Sequence, residues 1–188
     1  MCFRTGLAGV VVASIGLLAT LPPAQARDHE PFRARAGIEA TEAAAKSWSA
    51  DAVLIYIEND EDVDGQGAAT RWGYLYHSTL LDKSRVYSVR DGKILIAEYL
   101  GKKFEAPPLA TGWIDSDAAL QAAQHTVERE FRKGAPAVLR TMLLMRGAFQ
   151  DEDPDQTTWT LIYSAPGTPS LFVVVDAVQG KVRRTWRG

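Results

Sequence analysis

Two distant stretches of the chain share one pattern, and that pattern limits the folds open to it. Ala69–Ser78 reads ATRWGYLYHS and Gln156–Ala165 reads QTTWTLIYSA. In each, an aromatic or large apolar residue occupies every second position: Trp72, Tyr74 and Tyr76 in the first, Trp159, Leu161 and Tyr163 in the second. A period of two belongs to a strand with one buried face, because successive side chains alternate across it. Both stretches therefore need cover on the same kind of face.

The similarity extends beyond these strands. RVYSVRDGKIL aligns with LFVVVDAVQGKVR, setting Tyr87 on Phe172, Val89 on Val174 and Asp91 on Asp176, with a longer second turn bringing Gly92-Lys93 onto Gly180-Lys181. Ahead of each set lies a helical run and a further strand. The first helix is expected over Ile38 to Ala50, with Ala40, Ala44 and Trp48 on one stripe and Glu42 and Lys46 four residues apart. The second is expected over Ser116 to Lys133, with Leu120, Ala123, Val127 and Phe131 on its stripe, stopping at Gly134 and Pro136. DAVLIYIEN and AVLRTMLLMRG then read as strands, and Pro107-Pro108 and Gly112 interrupt any regular element in the connection between the halves.

The predicted fold class is α+β. It has two pseudo-repeated units, each an antiparallel β-sheet of about four strands covered by one helix. The expected organisation is a signal peptide at 1–26, an N-terminal tail at 27–37, a first repeat at 38–99, a linker at 100–114 and a second repeat at 115–188. The pattern leaves open whether the two units share a sheet or merely abut.

A helix followed by strands ending in FVVVDAVQGKV (Phe172–Val182) resembles the PepSY domain of peptidase propeptides and secreted bacterial proteins. YSVRDGKIL matches the same signature with a shortened turn, so the resemblance is to a tandem, divergent pair covering Ile38–Tyr99 and Asp115–Arg187. It implies a non-catalytic module that binds or restrains a partner, in some cases a peptidase. It carries over no catalytic residue.

The N-terminus fits an exported protein. Arg4 precedes an uncharged apolar run from Gly6 to Leu21, and Ala24-Gln25-Ala26 is a small-x-small cleavage site. The run is shorter than the ~20 residues that span a bilayer, so no stable anchor is expected after cleavage. The expected location is periplasmic or extracellular. The single cysteine, Cys2, leaves with the signal, which removes disulfides, thiol nucleophiles and cysteine-based metal sites. A net charge of −2 argues against nucleic acid as a partner.

Signatures of hydrolases, zinc proteases, phosphate loops and dinucleotide sites are absent from the sequence, and no catalytic or cofactor-binding residue is expected. The three histidines fall in a tail (His29), a strand (His77) and a helix (His125). Asp176 and Gly180 read as turn chemistry, and Asp91-Gly92 as a two-residue hairpin. Trp72 and Trp159 are expected in the core, and Trp186 exposed. The loop ENDEDVDGQG offers Asp60, Asp62 and Asp64 at alternate positions with Gly65 next, the opening of a calcium loop. Position twelve is Arg71 instead of the bidentate Glu, so calcium would bind weakly, or the loop is only an acidic hairpin. The second half repeats the spacing in Asp151, Asp153 and Asp155. The functional expectation is a secreted, non-catalytic binding module for an exported protein or peptide. The alternatives are an inhibitor of a secreted peptidase and a small-ligand carrier.

Overall fold

The computed structural model describes residues 29–101, 104, 106–131, 137–148 and 153–188. The expected signal peptide lies outside them, as does Asp151. A short 3-10 turn (Ala34–Gly37) leads into α1 (Ile38–Trp48). Four strands follow: β1 (Val53–Asn59), β2 (Trp72–Ser78), β3 (Lys83–Arg90) and β4 (Lys93–Tyr99). Then come α2 (Ser116–Phe131), β5 (Val138–Arg146), β6 (Thr157–Ala165), β7 (Thr168–Asp176) and β8 (Lys181–Arg187).

The expectation of two units, each an antiparallel sheet of about four strands covered by one helix, is wrong. All eight strands form one antiparallel sheet in the order β4-β3-β2-β1-β5-β6-β7-β8. The first strand of each run would be an edge of its own meander, exposing unpaired N–H and C=O groups. Those two edges instead pair with each other, Tyr56 opposite Met145, Ile57 opposite Leu144 and Glu58 opposite Leu143. Asn59 then replaces the backbone ladder. Its Oδ1 accepts the Met142 N–H at 2.6 Å, and its Nδ2 donates to the carbonyls of Glu61 at 2.8 Å and Arg140 at 3.1 Å.

Both helices lie on one face of this sheet, α1 against β2–β4 and α2 against β6–β8. The alternating aromatics line that face. Trp72, Tyr74 and Trp159 are fully buried, and Trp72 and Trp159 meet edge to face at 6.3 Å. Trp113 packs edge to face on Trp159 at 6.2 Å. Trp72 donates its indole N–H to the Phe32 carbonyl at 2.7 Å, and Trp159 donates to the Ile114 carbonyl at 2.8 Å. Each tryptophan thus holds the segment that precedes a helix. The described part of the expected tail is accordingly packed, with Ala34 fully buried.

Two details of the sequence reading shift by one residue. In α1 the buried positions are Thr41 and Ala45, flanked by half-buried Ile38 and Trp48, so the buried stripe is rotated from Ala40 and Ala44. Thr41 is there because its hydroxyl donates back to the Gly37 carbonyl at 2.9 Å and meets Tyr76 Oη at 3.1 Å. In the last strands, Tyr87 and Val89 join the core under the helices, whereas Phe172 and Val174 point to the opposite face, paired with Trp186 and Arg184. The structural counterparts of Tyr87 and Val89 are Val173 and Val175, because the two turns differ in length.

Glycine is required at two close approaches. A Cβ on Gly37 would lie 2.2 Å from Tyr74 Oη, which donates to the Ala34 carbonyl at 2.7 Å. A Cβ on Gly67 (φ 77°) would lie 2.9 Å from the backbone of Asp117, so the 60–70 loop docks on the start of α2 only as glycine.

Two stability predictions follow from the joined sheet. Asn59→Ala leaves the buried Met142 N–H without its acceptor and should cost about 1–3 kcal/mol in denaturant unfolding. Trp159→Ala should cost about 3–5 kcal/mol, and because one core spans both halves the loss should appear in a single unfolding transition.

Candidate functional site: the helix-free face of the sheet

Residues opposite each other in paired strands share a face, so the register defines what the other side of the sheet presents. One row runs Ile96, Ser88, Gly73, Glu58, Leu143, Thr160, Val174, Arg184 across the sheet from β4 to β8. The next runs Glu98, Val86, Leu75, Tyr56, Met145, Thr158, Asp176 from β4 to β7. A third contains Ile162, Phe172 and Trp186. Phe172 and Trp186 stack with centroids 4.8 Å apart and planes 6° from parallel, and Trp186 is 39% exposed as expected. No described helix crosses this face, yet its centre, Glu58 apart, is apolar or hydroxyl-bearing.

A groove of about 430 Å³ opens on this face, lined by Tyr56, Glu58, Asp60, Gly73, Leu75, Val86, Leu100 and Phe104. Its shape has local causes. Phe104, in the connection after β4, meets the Tyr56 ring edge to face at 5.8 Å and raises one wall. Gly73 makes room for the Asp60 carboxylate on the floor, where a Cβ would lie 2.8 Å from Asp60 Oδ1. Tyr56 donates its hydroxyl to Glu58 Oε2 at 2.5 Å. Burial, reinforced by the Glu58 carboxylate, pushes the Tyr56 hydroxyl well above the ordinary tyrosine range, so it stays a donor.

The expected calcium ligands do not converge. Asp60 accepts the Ser88 hydroxyl, and its Oδ2 lies 3.4 Å from Arg71 Nε. Asp64 Oδ1 accepts the N–H groups of Gln66 at 2.8 Å and Ala68 at 2.9 Å, closing a turn. Asp62 is exposed. Among the described residues no group of three His, Cys, Asp or Glu side chains is placed to hold an ion. Glu61, beside them, accepts from Thr70 and pairs with Arg90, with Arg71 Nε 3.8 Å away. Arg71, the residue standing at position twelve of the calcium pattern, is thus the counter-charge that settles this loop. In the second loop Asp155 pairs with Arg146 at 2.7 Å, and Asp153 is exposed, its carbonyl accepting the Gln156 N–H at 3.2 Å.

The turn residues do turn work. Asp176 Oδ1 accepts the N–H groups of Val178 and Gln179, both at 2.9 Å, and Oδ2 accepts Arg183 at 2.8 Å. Gly180 takes φ 66°, and Asp91-Gly92 forms the two-residue hairpin with φ 49° and 68°. Of the histidines, His29 meets Asp91 at 2.7 Å and His125 is exposed. His77 Nδ1 lies 3.0 Å from Ser84 Oγ, a contact set by their cross-strand pairing. Reading residue by residue along the chain could not bring that pair together.

Two outcomes test this electrostatic picture. With Asp60 beside Arg71 and Asp64 committed to backbone donors, millimolar Ca²⁺ should leave the melting temperature unchanged in the wild type and in Asp62→Asn/Asp64→Asn. For pH, burial raises the Asp176 carboxyl, but the N–H groups of Gln179 and Val178 and the Arg183 guanidinium outweigh it and hold it below its ordinary value. Glu61 is held low by the Thr70 hydroxyl first, against burial, then by Arg90 and Arg71. Groups with depressed folded pKa values stabilise fully above the unfolded value of about 4 and lose that contribution as pH falls through the folded one. Denaturation midpoints should therefore drop between pH 5 and pH 2–3, and Asp176→Asn should start lower at neutral pH and show a shallower acid slope.

No family model matches the chain, and no curated protein matches it. No helix among the described residues is long and apolar enough to cross a membrane. Among solved structures the chain is similar to a crystal structure described as that of a "putative lipoprotein" from Clostridium difficile 630. The TM-score is 0.53 at 13% identity, over 79% of this chain and 90% of that one, a likeness of fold alone.

Proposed function

We propose that the chain is an exported, non-catalytic binding module that takes a protein or peptide partner on the helix-free face of its sheet. The observation that carries this reading is the composition of that face: half-buried Val86, Leu143, Met145 and Ile162 and the Phe172–Trp186 stack lie together around buried Leu75 where no described helix covers them. Apolar side chains gathered on a face that no described helix crosses, with Trp186 exposed, fit an interaction surface. The PepSY-like strand FVVVDAVQGKV and the signal-like start of the sequence support the same class and an extracytoplasmic location. Inhibition of a secreted peptidase is the special case in which the partner is a protease. The 430 Å³ groove favours a second reading, a small-ligand carrier, because its volume suits a compact ligand.

The test compares variants of equal melting temperature. Leu143→Glu places a charge at the centre of the face, and Leu95→Glu places one on the β4 edge strand, where Leu95 is 53% exposed. An exported-fraction partner captured by the wild type and by Leu95→Glu should lose at least tenfold in affinity with Leu143→Glu. Equal capture by all three would move the interface off this face. Turnover of a hydrolase substrate panel, abolished by changing one groove residue, would overturn the non-catalytic reading.

A further inference from the structure

We propose that the groove between Tyr56 and Phe104 receives a basic side chain, the ammonium of a lysine or the guanidinium of an arginine, from the partner segment that docks on this face. This deepens the reading of the helix-free face as the binding surface and rests on it.

Charge complementarity carries the assignment. Three carboxylates gather at this end of the sheet, those of Glu58, Asp60 and Glu61. Two guanidiniums answer them: Arg90 pairs with Glu61, and Arg71 lies between Asp60 and Glu61. Among the described residues Glu58 is the carboxylate left over. Its Oε2 is occupied by the Tyr56 hydroxyl, and no described cation pairs with it. A half-buried carboxylate with one fixed hydrogen bond is oriented, and desolvating it further under an apolar ligand would be costly. An anion would face both Glu58 and Asp60. A cation would gain from both.

The remaining walls fit the rest of such a side chain. Leu75 and Val86 supply apolar surface for an alkyl stem, and Gly73 lets the Asp60 carboxylate lie close against the sheet on the groove floor, where an incoming cation would meet it. The Tyr56 and Phe104 rings add faces that attract a cation. Glu58 lies next to Leu143 in its row and Tyr56 next to Met145, so the groove opens directly onto the apolar centre of the face. That continuity favours a side chain of a docked peptide over a free amine. The peptide backbone would lie across Leu143 and Met145 while one basic residue enters the groove.

The test uses the full mature chain, ¹⁵N-labelled, titrated at low salt with four probes. Three are blocked pentapeptides, Gly-Leu-Xaa-Leu-Gly, with arginine, norleucine or glutamate at the centre; the fourth is free arginine. The amide of Gly73 reports the groove, and those of Leu143 and Thr160 report the open face. The arginine peptide should shift Gly73 saturably, bind at least tenfold tighter than the norleucine and glutamate peptides, and weaken with added salt. Glu58→Gln, with an unchanged melting temperature, should abolish that preference. If Leu143 and Thr160 shift equally with all three peptides and Glu58→Gln changes nothing, the cation site is wrong while the docking face stands. If no amide on the face responds to any peptide, both fall. Free arginine shifting Gly73 as tightly as the peptide would overturn the assignment to a peptide side chain.

Discussion

The pairing of β1 with β5 is the constraint on which the rest of this molecule depends. Either run of four strands alone would end in an open edge at its first strand. Joining those edges buries both in the centre of one sheet, and the polar cost at the end of the seam is met by one side chain. Asn59 accepts a buried N–H and donates to two carbonyls, a set of partners only an amide of that length can satisfy.

Because the seam makes the sheet continuous, it also makes its two faces unequal. Both helices fall on the same side, so the aromatic rows of the two halves meet beneath them through Trp72, Trp159 and Trp113. No described helix crosses the opposite side of the eight strands. Its apolar rows, its Phe172–Trp186 stack and its groove at Glu58 exist as one surface only because β1 and β5 sit side by side. The proposed binding role is therefore a consequence of topology before it is one of any particular side chain.

Much of the helix-covered side was legible in the sequence. The period of two at Trp72–Tyr76 and Trp159–Tyr163 marked buried strand faces, and Asp91-Gly92 and Asp176…Gly180 marked turns, because these signals are local. The joined sheet was not, since β1 and β5 are separated by the whole first half of the fold. A hint was present: both runs, VLIYI and LLM within longer apolar stretches, carry apolar side chains on successive positions, as central strands do. The α1 stripe slipped by one because a threonine, polar by composition, is buried through hydrogen bonds to Gly37 and Tyr76. The acidic loop misled for a similar reason. Its carboxylates suggested a cation, and the cations were already supplied by Arg71 and Arg90, the second brought in from β3. The groove could not be read at all, because Tyr56 and Phe104 meet only across the fold.

The most direct measurement of this account is a set of proton–proton nuclear Overhauser contacts across the seam in the folded, isotopically labelled chain. Cross-strand contacts should join Tyr56 with Met145, Ile57 with Leu144 and Glu58 with Leu143, at intensities matching those within the β1–β2 and β5–β6 pairs. Absence of these contacts, with the β1–β2 and β5–β6 sets intact and the two halves melting independently, would contradict the single sheet and remove the surface built on it.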